Sequence, residues 1–121
     1  MADKQEITQF VRSAFRSVWS LELLLVIKNQ PAQNWAPADL VASLRASDLV
    51  VARGLDELLA AGLILVDGEG AACYRPLSAE LDRLVEATEA AYAKSPDAVR
   101  RIIVSSASVN AFADAFRLRK D

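Results

Sequence analysis

"ASDLVVARGLDELLAAGLI", residues 46–64, decides how this chain folds. Val51, Leu55, Leu58 and Leu59 recur at helical spacing and predict one helix. Ser47 stands just before that helix, where a hydroxyl can accept an orphan backbone N–H. Gly62 stands just after it, where a glycine can take the left-handed conformation that ends helices. With Val51, Leu55 and Leu58 inward, a step of about 100° per residue turns Leu49, Val50, Arg53, Asp56, Glu57 and Ala60 outward.

The flanking residues extend this into a larger unit. In "PADLVASLRA", residues 37–46, Pro37 suits the first turn of a helix, Asp39 suits its positive end, and Leu40, Val41 and Leu44 face inward. The two helices make a helix-turn-helix. Downstream, "LILV" predicts a strand, "DGEG" a tight turn, and "AACYRP" a returning strand ended by Pro76. Upstream, Ile7, Val11, Ala14, Val18, Leu21 and Leu25 alternate in steps of four and three, either as one long helix or as two joined near Ser17. Phe10, Phe15 and Trp19 widen that stripe, and "LELLLVI" is apolar nearly all round, which places it at the centre of the core. A loop, "KNQPAQNWAP", separates it from Pro37.

Ser78 can cap "AELDRLVEATEAAYAK", in which Leu81, Leu84, Val85, Thr88, Ala91 and Tyr92 form the inward stripe. Asp82, Glu86 and Glu89 then face solvent. Ser95, Pro96 and Asp97 begin a last helical segment carrying Val99, Ile102, Ile103, Val109, Phe112 and Phe116, with "SSAS" at 105–108 as a place for a kink or a restart. The expectation is a mainly α single domain over 1–121, with an N-terminal helical segment (1–30), a central unit (36–76) and C-terminal helices (78–121).

Hydrophobic residues make up 53% and charged residues 25% of the 121, an ordinary globular composition with room for one core. The net charge is −2, so any basic face must be local. Cys73 is the one cysteine, which rules out an internal disulfide, fits a reducing compartment and reads as a small buried hydrophobe. Charged residues at the start predict no secretory leader, and Leu23 to Ile27 is far short of the roughly 20 apolar residues a membrane span needs. A cytoplasmic location and no membrane association are expected. Abundant alanine, and more arginine than lysine, suit a GC-rich bacterial genome.

With no histidine, a Ser-His-Asp or Cys-His arrangement and any histidine-containing metal site are excluded. "DGEGAA" lacks the Lys-Ser/Thr ending of a phosphate loop. The expectation is therefore no catalysis, no cofactor and no metal.

Leu40 and Leu44, then Ser47, Val51, Arg53, Leu55, Leu58 and Ala61-Gly62-Leu63, then the "DGEG" turn, carry a family resemblance. In this order residues 36–76, about a third of the chain, resemble the winged-helix domain of bacterial transcriptional regulators of the MarR and ArsR kind. The resemblance implies a winged helix-turn-helix with a two-stranded wing. It also implies base and phosphate contacts from the outward residues of the second helix, and flanking helices that pair two subunits, hence a homodimer, although the two flanking regions packed against each other within one chain would use the same residues.

The residues on that outward face depart from the family. Only Arg53 matches its cation, Asp56 and Glu57 would meet phosphates with like charge, and Leu49 and Val50 offer a base edge nothing beyond contact with a thymine methyl. The hairpin tip adds Asp67 and Glu69. Leu49, Val50, Arg53, Asp56 and Glu57 compose a protein-binding face better, an apolar centre ringed by charge. The leading expectation is a non-catalytic regulatory module associated with transcription that docks a protein there. The alternative is a DNA-binding regulator using Arg45, Arg53, Arg75 and the tail cations Arg117, Arg119 and Lys120. A structural oligomerisation domain is the third. Arg12 and Arg16 on the first helix, with Arg100 and Arg101, are further cations.

Overall fold

The computed structural model describes residues 3–105. Val109, Phe112, Phe116, Arg117, Arg119 and Lys120 lie outside the described residues.

The N-terminal stripe forms two helices. α1, Lys4–Ala14, starts where the Asp3 carboxylate accepts the Glu6 N–H at 2.8 Å, and ends at Phe15, whose backbone is extended. Ser17 then caps α2, Val18–Asn29, by accepting the Ser20 N–H at 3.2 Å. This break resets the helical phase. Phe10 and Phe15 stay buried and meet edge to face at 5.8 Å, whereas Trp19 leaves the stripe and is 44% exposed. The expectation that Trp19 widens the core is thus corrected.

α2 buries Ser20, Leu21, Leu23, Leu24 and Ile27, and packs against three elements at once. These are α3 (Pro37–Leu44), α4 (Asp48–Ala60) and β2 (Ala72–Tyr74). α3 carries its proline in the first turn and ends at Arg45, a non-glycine residue at φ 54°. That left-handed residue makes the sharp turn after which Ser47 caps α4, accepting the Val50 N–H at 3.1 Å. α4 buries Val51, Gly54, Leu55 and Leu58. Leu59 belongs to a different side: one residue beyond Leu58 turns it off the stripe, and it is 45% exposed. The helix closes as sequence spacing predicts, with Gly62 at φ 77°, its N–H donating to the Leu59 carbonyl and the Leu63 N–H donating to that of Leu58.

β1 (Ile64–Val66) and β2 pair antiparallel, Leu65 opposite Cys73. The Asp67 carboxylate accepts the N–H groups of Glu69 and Ala71, so this acid also builds the turn. Trp35 adds a bridge to Ala72 through backbone bonds of 2.7 and 2.8 Å. Cys73 is half-buried, less enclosed than expected.

α5 (Ala79–Lys94) begins at Ser78, which accepts the Leu81 N–H, and packs against α1. Val99 and Ile103 of α6, described over 96–105, are buried in the same core. Two of the α5 acids expected in solvent are structural. The Tyr74 hydroxyl donates to Asp82 at 2.6 Å, and Lys28 Nζ lies 2.9 Å from Glu89 Oε1, tying the hairpin and α2 to α5. Glu86 is exposed, as expected. The Tyr92 hydroxyl donates to Glu22, a second link between α5 and α2. Among the described residues no helix is long and apolar enough to cross a membrane, and no group of His, Cys, Asp or Glu is placed to hold a metal ion.

α2 and α4 lie close together at Gly54, where a Cβ would lie 2.7 Å from Leu23 Cδ2 and 3.9 Å from the Ser20 Cα. Glycine costs a helix interior about 1 kcal/mol relative to alanine, so its place here reflects the space between the helices. In Gly54→Ala, rotation of buried Leu23 opposes the gain in helix propensity, and a net loss below about 2 kcal/mol is expected. Gly54→Leu has no such outlet and is expected to cost about 3 kcal/mol. Urea unfolding of the two variants beside the parent protein measures both.

Candidate functional site

The outward face of α4 is laid out largely as its spacing requires. Leu49, Arg53, Asp56 and Ala60 are exposed, and Val50 and Glu57 are half-buried. Val50 and Glu57 lose exposure because the junction between α1 and α2 lies against this side of α4. Arg16, Ser17 and Trp19 from that junction, with Val50, Arg53, Asp56 and Glu57 from α4, line an open groove of about 510 Å³. Leu49, 58% exposed, does not line it. Of the five residues expected to bind a protein, the structure therefore brings four together and leaves Leu49 outside the groove.

Arg16, Ser17 and Trp19 were not expected there. Arg16 lies beyond the end of α1 rather than on it, because the helix stops at Ala14. Trp19 is held outward at the start of α2, and a second recess of about 370 Å³, lined by Val18, Glu22, Ser43 and Leu44, lies on its other side. The indole is thus a ridge shared by two hollows. Ser17 was the signal for both residues: read as an N-cap rather than as a helix interior position, it ends the first stripe before Arg16 and restarts the phase at Trp19.

Glu57 ties the two walls together, its Oε1 accepting the Arg16 backbone N–H at 3.2 Å. Partial burial holds its pKa above the usual value; the Arg16 N–H and the charges of Arg16 and Arg53 oppose this without cancelling it. Among the described residues, neither the Arg16 nor the Arg53 guanidinium forms an ion pair, and the Asp56 carboxylate forms none. The groove therefore sets two guanidiniums and two carboxylates around an indole and a valine.

The residues expected to contact DNA are not gathered in this way. Arg45 precedes the start of α4, whereas Arg75 is anchored past its other end, its N–H donating to the Leu63 carbonyl at 3.1 Å. The 13 residues of α4 span roughly 20 Å, which separates the two backbones along the helix. Arg53 is the only one of the set that lines the groove. The tail cations Arg117, Arg119 and Lys120 fall outside the described residues.

No protein-family model, curated protein or solved structure matches the chain.

The raised pKa of Glu57 has a definite sign for stability. The folded protein holds this proton more tightly than the unfolded chain does, so the stabilisation is complete below the usual value of 4.5 and is lost as pH rises through the folded pKa. Glu57→Gln keeps an acceptor for the Arg16 N–H and removes the ionisation. Between about pH 4 and about pH 7 the parent protein is expected to lose stability relative to Glu57→Gln, as read by urea unfolding at the two pH values.

Proposed function

We propose that residues 36–76 form a winged helix, with α3 and α4 as its helix-turn-helix and β1–β2 as its wing. Its proposed role is that of a non-catalytic regulatory module associated with transcription, which docks a protein on the outer face of α4. The element order supports the winged-helix reading, as do the Ser47-capped second helix, the Gly62 ending and the short hairpin. The Trp35–Ala72 bridge supports it further by adding a third segment at the other edge of β2. Pairing of two copies through the helices outside 36–76 belongs to the same proposal, as does a reducing, cytoplasmic setting suited to the lone Cys73.

The docking reading rests on one observation, the composition of the groove. A surface built for duplex phosphates gathers cations in excess and leaves them unopposed. Here Asp56 and Glu57 stand beside Arg16 and Arg53, and Trp19 and Val50 supply the apolar contact, a combination typical of the centre and rim of a protein interface.

One observation favours the DNA-binding alternative: Arg16 joins Arg53, so the groove holds two cations where the spacing along α4 provides one. Titration of a labelled duplex at low salt, followed by fluorescence anisotropy, separates the two readings. A docking module is expected to give no saturable signal. A DNA reader gives saturable binding that weakens steeply as salt rises and is lost in Arg53→Glu.

A further inference from the structure

The groove beside Trp19 also carries information about what fits it, an inference that rests on the docking function proposed above. Its apolar part is the indole of Trp19, 44% exposed, with half-buried Val50. An apolar side chain entering there would cover both and displace water from an open, aromatic-walled hollow.

The polar part is asymmetric despite its equal count of charges. Glu57 is already engaged: it is half-buried, one of its oxygens accepts the Arg16 backbone N–H, and both arginine charges act on it. Arg16 and Arg53 are exposed, and among the described residues their guanidiniums make no side-chain hydrogen bond or ion pair. Two free guanidinium forks beside an apolar hollow match a planar acceptor with two oxygens, which a carboxylate supplies. Exposed Asp56 is the one uncommitted negative group, and it sets a limit on how much anionic charge the site accepts. A polyanion would place repeated phosphates against Asp56 and Glu57, whereas one or two carboxylates can sit on the arginines alone.

We propose that the groove lined by Arg16, Trp19, Val50 and Arg53 docks an acidic-apolar peptide segment, one apolar side chain packing on Trp19 and Val50 and a neighbouring carboxylate bridging Arg16 and Arg53. The contacts are side chain to side chain, so specificity comes from the order of apolar and acidic residues in the partner. The three side chains to be altered are exposed, and their removal leaves no buried group unpartnered.

Selection from a displayed random-peptide library on the full chain tests this, with each enriched peptide then measured as a labelled synthetic peptide by anisotropy. The expected result is enrichment of peptides with Asp or Glu next to an aliphatic or aromatic residue. Their affinity should fall about tenfold or more in Arg53→Glu, in Arg16→Glu and in Trp19→Ala, and partly survive in Arg53→Lys. Circular dichroism showing an unchanged fold in each variant makes the loss specific to the site. Enrichment of basic-apolar peptides that still depend on Trp19 would overturn the assignment to acidic partners while leaving the docking function in place. Peptides indifferent to Trp19, Arg16 and Arg53, or no enrichment at all, would overturn the assignment. If a duplex is bound through Arg16 and Arg53 in the same assay format, both the assignment and the docking function fall.

Discussion

Gly54 on α4 meets Leu23 and Ser20 on α2, and the rest of the structure depends on that contact. It allows two helices to lie close enough that a Cβ between them would fall 2.7 Å from a leucine methyl. Because α2 also packs on α3 and on β2, its distance from α4 determines how the hairpin, the helical turn and the core fit together. Ser20, fully buried beside this contact, has both polar needs met locally: its N–H bonds the Ser17 hydroxyl, and its own hydroxyl donates to the Ser17 carbonyl at 2.7 Å. A polar residue therefore occupies the tightest part of the core with no unpaired group.

The same contact produces the groove. Once α2 is drawn onto α4, the residues just before and at the start of α2 lie along the outer edge of α4. Arg16 can then offer its backbone N–H to Glu57, and Trp19 stands beside Val50. A face that a lone helix would show as a row of separate side chains becomes a hollow with two walls. Its charge balance follows from that closure. α4 by itself supplies one arginine and two acids to the groove, and the neighbouring junction adds a second arginine. A polyanion is disfavoured by the acids and a small mixed surface is favoured by the indole, so the docking proposed for this face draws more support from the assembled groove than from α4 alone.

The α4 segment and its surroundings were legible because local chemistry there agrees with the packing. Ser47 caps, Gly62 ends, Val51, Leu55 and Leu58 face the core, and the "DGEG" turn joins two strands, each through interactions within a few residues. The site was half legible. Val50, Arg53, Asp56 and Glu57 follow from helical stepping, but Trp19 and Arg16 reach them from far earlier in the chain, with a separation of 41 between Arg16 and Glu57. A single apolar stripe running through Ser17 hid the helix break, because Val18, Leu21 and Leu25 keep nearly the same spacing whether or not the helix is interrupted. Asp82 and Glu89 were read as solvated for a related reason. Their partners, Tyr74 and Lys28, belong to other elements, and periodicity along α5 carries no record of them. Leu59 shares the helical spacing of α4's apolar residues, but its angle on the helix points it out.

Exposure of the Trp19 indole is the central claim, since a groove whose ridge lay inside the monomer could dock nothing. The chain has two tryptophans, and Trp35→Phe leaves Trp19 as the sole indole fluorophore while removing an indole N–H that is buried without a partner among the described residues. Acrylamide quenching of that variant, at concentrations dilute enough to exclude self-association, measures the indole directly. The expected result is solvent-exposed emission quenched nearly as readily in the folded protein as in urea. Blue-shifted emission that resists quenching until the chain unfolds would place Trp19 in the core and contradict the groove on which the functional reading stands.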